Sequence, residues 1–458
     1  MTSKVILLFC TAAAFCLCGC SGPAEPASTR IAVVTPESRT PPGVSPLYTA
    51  TVSSDTIIEP VGDLTLQTAL ALALLHNPQL KSSALDIRIA EADRLQASLP
   101  PNPELEFEAE EVGAGSRAAL RPGDTIIALS QLVELGGKRQ KRTTVGNLET
   151  QLAAMDYEAR RLDVLSEVHT RFVDLLAAQR QLELMTRLEH LAGEALEIVE
   201  AQVEGGRDSH LETKRAKIQV SEVRMQRIAA ERDLDVARKT LAALWSADEP
   251  QFDKAAGNLD ATHRIAPLET LRTRMDNNPD LARWSVEMEQ RRAAIALEKA
   301  RAIPDVTLGG GIQFLDENSQ TAAVFGARVA LPLFDANQGG RRAAAHRLAR
   351  ANLDAEAARI TIATGLAKAH RDSANALTRV EELKHCVLQN AQEVFEAVEQ
   401  GYRSGKFAYI DLLDSQRTLF EVQLQYVAAL TDYHKARAEL ERLIGGPATD
   451  DQIQTNEN

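Results

Sequence analysis

The sequence predicts a mainly α-helical protein with a small β part, built from two copies of one long helical hairpin. Only 4% of the 458 residues are aromatic while 25% are charged, as is typical of long packed helices. Proline-free tracts with apolar residues at helical spacing run for tens of residues. Two similar Gly-bearing turns, VEGGRDSHLETKRA and QGYRSGKFAYIDLLD, align Gly206 with Gly405 and indicate a tandem duplication.

The N-terminal segment differs from this helical body. Residues 1–19 have a basic start and an apolar run, and are predicted to be a signal peptide. The LCGC sequence that ends at Cys20 resembles the lipobox of bacterial lipoproteins, which implies acylation of Cys20, and Ser21 fits passage to the outer membrane. The alternative is a plain signal peptide with an incidental cysteine. Residues 20–60 are rich in Pro and Ser and are predicted to be a tether.

Residues 61–250 form the first predicted repeat. Its longest helix would measure roughly 100 Å at 1.5 Å per residue, and two shorter helices stacked end to end would match that length. The Asn77-Pro78 pair breaks the first helix. The predicted elements are a broken helix at 65–97, strands at 104–110 and 125–133, a long helix at 138–203 and a return helix at 209–245.

Residues 251–446 form the second predicted repeat, and 447–458 are predicted to be a disordered tail. The break at Asn278-Pro279 corresponds to that at Asn77-Pro78, and Gly339-Gly340 is matched with Gly136-Gly137 at the start of the long helix. The expected strands lie at 306–314 and 323–331, and the expected helices end at Gly401 and run from 408 to 444.

The alternation within the strands predicts two different faces. We expect an apolar outward face of Leu105, Phe107, Ala109, Val306, Leu308, Ile312 and Phe314. We expect a water-facing lumen of Glu104, Glu106, Glu108, Glu110, Thr307 and Gln313. An acidic lumen favours cations. A soluble sheet with one wet face is the alternative.

Four strands of this length can cross a bilayer but cannot close into a barrel. An open edge in hydrocarbon leaves unpaired backbone groups, each costing several kcal/mol. The chain would therefore borrow strands from other copies, and two, three or four copies would satisfy this requirement.

Charge and cysteine content exclude several functions. The net charge of −13 argues against a nucleic-acid partner. Four of the five cysteines precede residue 21, so Cys386 has no partner for an internal disulfide. The adjacent His385 and Cys386 are interpreted as ordinary helix residues rather than as a metal site. No phosphate-binding loop, nucleophile elbow or HExxH motif is present, so we expect no enzyme activity, cofactor or metal site.

Asp411 and Asp414 are the candidate functional pair. Residues three apart share a helix face, so both carboxylates point the same way just after the second turn. The alternative is that they only occupy the solvated first turn of a helix, where the helix dipole favours acidic side chains.

The mature chain resembles the TolC-type outer-membrane efflux proteins. LVELGGKRQKR, which ends at Arg142, and EVHTRFVDLLAAQRQLEL, which ends at Leu184, resemble the CzcC-like cobalt-zinc-cadmium branch. This resemblance implies a homotrimer with a shared twelve-stranded membrane β-barrel and a trimeric α-barrel. It also implies a periplasmic adaptor (membrane fusion protein) and an inner-membrane RND pump as partners, beside outer-membrane lipid.

The resemblance also implies roles for residues at the two turns. The adaptor-docking tips would be Gly206, Arg207, Gly405 and Lys406. The periplasmic gate would include Asp411, Asp414, Tyr402 and Glu212. Phe407 stands where some family members have an arginine, so a Tyr-Arg latch would be absent.

The resulting prediction is a passive exit duct in the outer membrane, exporting heavy-metal cations and powered by a partner. A channel for drugs or secreted proteins is one alternative. A lipid-anchored periplasmic coiled-coil scaffold is the other, although it leaves the duplicated strands unexplained.

Overall fold

The computed structural model describes residues 59–109, 125–206, 209–315 and 320–448. The helices of this part are α1 Leu66–His76, α2 Pro78–Ser98, α3 Lys138–Glu204, α4 His210–Ala242, α5 Leu268–Arg274, α6 Pro279–Arg301, α7 Gln338–Glu382, α8 Leu388–Arg403 and α9 Tyr409–Ile444. Its strands are β1 Gly62–Thr65, β2 Glu104–Ala109, β3 Thr125–Val133, β4 Phe252–Ala256, β5 Val306–Leu315 and β6 Gln320–Val329. The predicted signal peptide, Cys20, Glu110 and Arg207 lie outside the described residues.

The two Asn-Pro breaks have the same construction in both repeats. The Asn77 and Asn278 side-chain oxygens cap α2 and α6, each of which has Pro in its first turn. The Asn77 amide also donates to the Leu244 carbonyl (2.8 Å), and the Asn278 amide donates to the Leu443 carbonyl (2.8 Å). Each break therefore ties a short helix to the end of the return helix of its own repeat.

The helices lie side by side in one layer that has two free edges. Near the strands the order of neighbours is α2, α3, α6, α7, and near the turns it is α4, α3, α9, α8. α3 has 67 residues, about 100 Å, so α2 and α4 both pack along it as expected. A π-helical turn, Leu383–Val387, joins α7 to α8 where the sequence predicted an unbroken helix. One edge of the layer is therefore α2 with α4, and the other is α7 with α8.

The four long strands form an antiparallel sheet in the order β2-β3-β5-β6. Strands β2 and β6 each pair on one side only within the described residues. β2 follows α2 and β6 precedes α7 in the chain. The open edges of the sheet therefore continue the free edges of the helical layer.

A joint at Gly136 and Gly137 connects the sheet to the long helix. Both glycines have a left-handed backbone (φ +71° and +68°), which an L side chain rarely adopts. The Lys138 ammonium pairs with Asp305 (2.8 Å), and Asp305 also accepts a hydrogen bond from the Leu135 N–H (2.9 Å). The LVELGGKRQKR motif therefore fixes the direction in which α3 leaves the sheet.

The second joint corrects the alignment of the repeats. Asn337 has φ +55° and precedes α7 as Gly137 precedes α3. Gly339 and Gly340 lie inside the first turn of α7, so they do not correspond to Gly136 and Gly137. Asparagine is one of the residue types that tolerate the left-handed region. The side-chain amide of Asn337 also donates to the Glu298 carbonyl (2.8 Å).

A small parallel sheet of β1 and β4 lies beside the long helices and was not predicted. Next to it the buried Glu59 carboxylate accepts hydrogen bonds from the Trp245 indole N–H (2.5 Å) and the Gln251 N–H (2.6 Å). The predicted tether at residues 20–60 is therefore too long at its C-terminal end. Glu59 is already part of the folded structure, because residues far along the chain bind its carboxylate.

The predicted disordered tail is also wrong at its start. Ala448 is fully buried, and its carbonyl accepts a hydrogen bond from the Ala266 N–H (3.2 Å). The Pro447 carbonyl accepts another from Arg274 (2.7 Å). Residues 447 and 448 thus close the hydrophobic cluster around α5, whereas residues from 449 onward lie outside the described part of the chain.

Helix α9 holds residues 257–267, here called the linker, which connect β4 to α5. The Tyr433 hydroxyl donates to the His263 carbonyl (2.8 Å), and the Tyr426 hydroxyl donates to Asp260 (2.7 Å). The buried His434 lies 2.8 Å from the Leu259 carbonyl through Nε2, which must carry the proton because a carbonyl only accepts. Burial lowers the pKa of His434, so the neutral ring makes this contact.

None of the helices in the described residues contains a segment sufficiently long and apolar to span a membrane.

We expect acid to destabilise the fold around His434, because protonation places a positive charge on a buried ring whose Nε2 already donates to the linker. Because the folded state lowers the pKa of His434, the unfolded chain binds more protons once the pH falls to about 6.5 and below, and stability falls. His434→Gln keeps a donor and should reduce the drop in the melting temperature of detergent-solubilised protein between pH 7 and pH 5. His190→Gln, whose side chain is 73% exposed, serves as the control. An equal drop in wild type and His434→Gln would contradict the prediction.

Candidate functional site

The strand register brings the predicted outward residues together on one face of the four-stranded sheet. Phe107, Ile127 and Ile312 form one cross-strand row, and Leu129 lies between Leu105 and Gly310 in the next. Several large side chains of this face are strongly exposed: Leu105 75%, Phe107 69%, Leu308 51%, Ile312 49%, Phe314 48% and Phe325 85%. A sheet in water would not leave so broad an apolar face uncovered.

The opposite face carries the predicted lumen residues of the described strands. Glu104, Glu106 and Glu108 follow one another along β2, and Thr307 and Gln313 lie on the same face of β5. The rows beside the glutamates are formed largely by small residues, among them Ser130, Ala128, Gly309, Gly311 and Gly326. This face is mixed rather than uniformly polar, because Ile126, Leu132 and Val324 also lie on it.

Both hairpin turns end in a left-handed glycine. Gly206 (φ +65°) follows α3 and Gly405 (φ +75°) follows α8, as the repeat alignment predicted. After the second turn the Gly405 N–H donates to the Tyr402 carbonyl (2.9 Å) and the exposed Lys406 donates its N–H to the Gly401 carbonyl (2.8 Å). This pattern satisfies the last carbonyls of α8 and gives a tight tip.

Asp411 and Asp414 lie on one exposed face at the start of α9. One Asp411 carboxylate oxygen accepts a hydrogen bond from the Ala408 N–H (2.9 Å), so this side chain also stabilises the helix start. Both aspartates line a groove of 740 Å³ between α8 and α9. The structure therefore places the pair together as predicted, and their role in a gate stays a prediction.

The first tip is electrically different from the second. Glu212 corresponds to Asp411, but it pairs with Arg215 (2.8 Å), which stands where the second repeat has Asp414. The other Glu212 carboxylate oxygen is buried without a hydrogen-bond partner among the described residues. Burial and the Glu212 charge raise the pKa of the Tyr409 hydroxyl. The first tip therefore carries an acidic and a basic side chain whose charges cancel, and the second tip carries two carboxylates.

Tyr402 is only 1% exposed in this structure. Its ring packs against Tyr409 with 6.1 Å between centroids, inside a cluster of α3, α4, α8 and α9 side chains. The Phe407 ring covers Gly401, because a Cβ on Gly401 would collide with it. Tyr402 is thus part of the packed tip, and its proposed hydrogen bond at a gate stays a prediction.

The described residues offer no cluster of three or more His, Cys, Asp and Glu side chains that could hold a metal ion. Cys386 is free and exposed on the π-helical turn, and the Asn390 amide approaches its sulfur at 3.6 Å.

Both repeats of the chain match one known protein family. The family model for outer membrane efflux protein matches residues 69–247 and 271–446, one match for each repeat. The chain belongs to the outer membrane efflux protein family. The start of the first match falls in α1 and the end of the second falls just after α9.

Two of its relatives are named for metal resistance. The cobalt-zinc-cadmium resistance protein CzcC of Cupriavidus metallidurans is 31% identical over 387 residues, which cover 84% of this chain and 91% of that relative. The nickel-cobalt-cadmium resistance protein NccC of Alcaligenes xylosoxydans xylosoxydans is 28% identical over 318 residues, or 69% of this chain and 71% of that protein. The predicted resemblance to the CzcC-like branch is confirmed.

Solved structures give the same fold. The channel protein CusC matches with a TM-score of 0.72 at 18% identity, covering 85% of this chain and 96% of that one. The open-state MtrE outer membrane channel of Neisseria gonorrhoeae matches with a TM-score of 0.71 at 19% identity, covering 84% of this chain and 89% of that one. The outer-membrane efflux channel fold predicted from the sequence is therefore confirmed.

Sequence reasoning missed the apolar stripes on the free edges of the helical layer. On the first edge α4 exposes Leu211, Ile218 and Met225, and on the second edge α8 and the π-helical turn before it expose Val394 and Val387. Each set repeats every seven residues, which is the signal that could have found it. The pattern was hidden because α-helical periodicity alone does not tell an exposed stripe from a buried one.

Proposed function

We propose that three copies of this protein form a passive exit duct through the outer membrane, and that its cargo is heavy-metal cations. The observation that carries the proposal is the open sheet with one exposed apolar face and a row of glutamates on the other. In a closed ring the apolar face would meet lipid and the acidic face would line water. Carboxylates along a pore attract cations and disfavour anions.

The two edge strands of the sheet, β2 and β6, allow identical copies to close a ring. The sheet has an even number of strands, so the β6 edge of one copy can meet the β2 edge of the next in an antiparallel pair. Such head-to-tail contacts form a ring when the rotation closes. Three copies would give twelve strands and a tube of helices, the arrangement implied by the family resemblance. A periplasmic scaffold would not account for a sheet with an exposed apolar face.

The tips are the proposed contact with the other components of the system. We infer that Gly206, Arg207, Gly405 and Lys406 meet a periplasmic adaptor that connects the duct to an inner-membrane RND pump. Acylation of Cys20 would add a lipid anchor in the same membrane as the sheet. The long helices would then project from the membrane into the periplasm.

The metal cargo is supported by the two metal-resistance relatives and by the acidic sheet face. The alternative cargo is organic, because the pyoverdine export protein OpmQ of Pseudomonas aeruginosa is also similar, with 25% identity over 411 residues covering 83% of this chain and 85% of that protein.

Deletion of the gene should distinguish these cargoes. We expect the deletion strain to become sensitive to zinc, cobalt or cadmium salts, with little change towards dyes and antibiotics, because export of the metal stops. Growth inhibition would be compared for both groups of compounds, with the intact gene returned on a plasmid as the control. Sensitivity to organic compounds alone would contradict the metal proposal and leave the duct intact.

The paired aspartates should control cation passage. Three copies would gather six carboxylates, and two charges about 8 Å apart repel by roughly 0.5 kcal/mol in water and roughly 2 kcal/mol at an effective dielectric near 20. Asp411→Asn with Asp414→Asn removes this charge, while the amide introduced by Asp411→Asn keeps an oxygen for the Ala408 N–H. We expect lower cation selectivity and altered single-channel conductance in planar bilayers.

The control for the aspartate variant is Glu269→Gln on α5, whose side chain is 81% exposed and far along the chain from the tips. It should behave as the wild type. Unchanged selectivity and conductance in the double aspartate variant would rule out a gate role for the pair.

A further inference from the structure

The groove between α8 and α9, here called the α8–α9 groove, has an apolar floor and an acidic end. Val387, Val394 and Phe407 line it with exposures of 40%, 55% and 47%, and Asp411 and Asp414 lie at the end next to the tip. Among the described residues that line the groove there is no lysine or arginine. The groove therefore suits an apolar helix face that carries a positive charge near one end.

Helix α4 presents such a face, here called the α4 stripe. Leu211, Ile218 and Met225 lie seven residues apart and are 53%, 60% and 63% exposed. Lys214 lies one turn from Leu211 on the same side of the helix, is exposed, and makes no ion pair within the described residues. The stripe is thus apolar along its length and basic beside the tip.

The α4 stripe and the α8–α9 groove lie on opposite edges of the layer, because α3 and α9 separate α4 from α8. They cannot meet within one copy. Their spacing nevertheless agrees, since Val387 in the π-helical turn and Val394 in α8 also lie seven residues apart, about 10 Å at the rise of an α-helix. The two turns are equivalent in the repeats, so Leu211 and Ile410 lie at the same height above their glycines.

We propose that α4 of one copy seats its stripe in the α8–α9 groove of the next copy, with Lys214 against Asp411 and Asp414. This inference rests on the proposed ring of copies and adds the residues that join neighbouring tips. The apolar stripe supplies the buried area, and the charges fix the register. The acidic end of the groove would meet the basic end of the α4 stripe. The two edges of the layer are therefore complementary in charge when they come from neighbouring copies.

This contact gives the two tips different tasks. Glu212 and Arg215 neutralise each other within the first tip, which leaves Lys214 available for the neighbouring copy. The carboxylates of the second tip are divided between the neighbour and the passage. Phe407 lines the groove beside the aspartates and carries no charge, so the positive charge reaches them from the adjoining copy. Separation of the tips of two neighbouring copies would then break the contact of Lys214 with the aspartates between them.

The native Cys386 makes a direct test possible. It lines the α8–α9 groove beside Val387, at the height where Met225 of the neighbour would lie. Met225→Cys in the full-length, membrane-embedded protein should form an intermolecular disulfide with Cys386 when treated with copper phenanthroline as oxidant. We expect most of the chain to shift to linked dimers and trimers on a non-reducing gel, and reduction should reverse the shift.

Two controls define the outcome. Met225→Cys with Cys386→Ser should lose the linked species, and Gln226→Cys, rotated by about 100° on the same helix, should link far less. If the complex has three copies but Met225→Cys gives no link, or Gln226→Cys links equally well, the inference is wrong and the proposed duct stands. If the wild-type chain does not assemble at all, the proposed duct itself fails.

The charged part of the contact is tested by exchange. Lys214→Glu should lower the temperature at which the complex dissociates and increase entry of large antibiotics such as vancomycin, because it sets three carboxylates side by side. Lys214→Glu with Asp414→Lys should restore both measurements towards the wild type. Absence of any effect of Lys214→Glu, or failure of the exchange to restore, would overturn the pairing of Lys214 with the aspartates.

Discussion

The constraint on which the rest of the structure depends is the unsatisfied backbone of strands β2 and β6. Each of these strands pairs on one side only within the described residues, and the sheet they bound exposes an apolar face. In a bilayer every unpaired N–H or C=O costs several kcal/mol, so such a sheet is stable there only after its edges meet other strands. Assembly is therefore a condition for insertion, and the same edges continue along the helices as apolar stripes.

The two repeats together supply the helices and strands of one long layer. Differences between the repeats give equivalent positions different roles. The Asn-Pro breaks are nearly the same in the two repeats, and in both they tie a short helix to the return helix. The joints differ, with Gly137 in the first repeat and Asn337 in the second, but both residues have a left-handed backbone. The tips diverged most in charge, since Glu212 is paired within its own copy and Asp411 and Asp414 share an open groove.

The sequence predicted those features that depend on local pattern. The strand at Thr125–Val133 and the helix that begins at Lys138 lie where apolar alternation and the glycine pair placed them. The β1–β4 sheet, the burial of Glu59 and the packing of Ala448 were missed, because each depends on contacts with residues far along the chain. Pattern could place Asp411 and Asp414 on one face, but the burial of Tyr402 beside Tyr409 required the packed structure.

The mass of the detergent-extracted complex tests the central claim most directly. Native mass spectrometry of the protein purified from outer membranes should give a single species with the mass of three mature chains, because one copy supplies four of the strands needed to close the wall. A stable single chain in the membrane, or a species of two or four chains, would contradict the account.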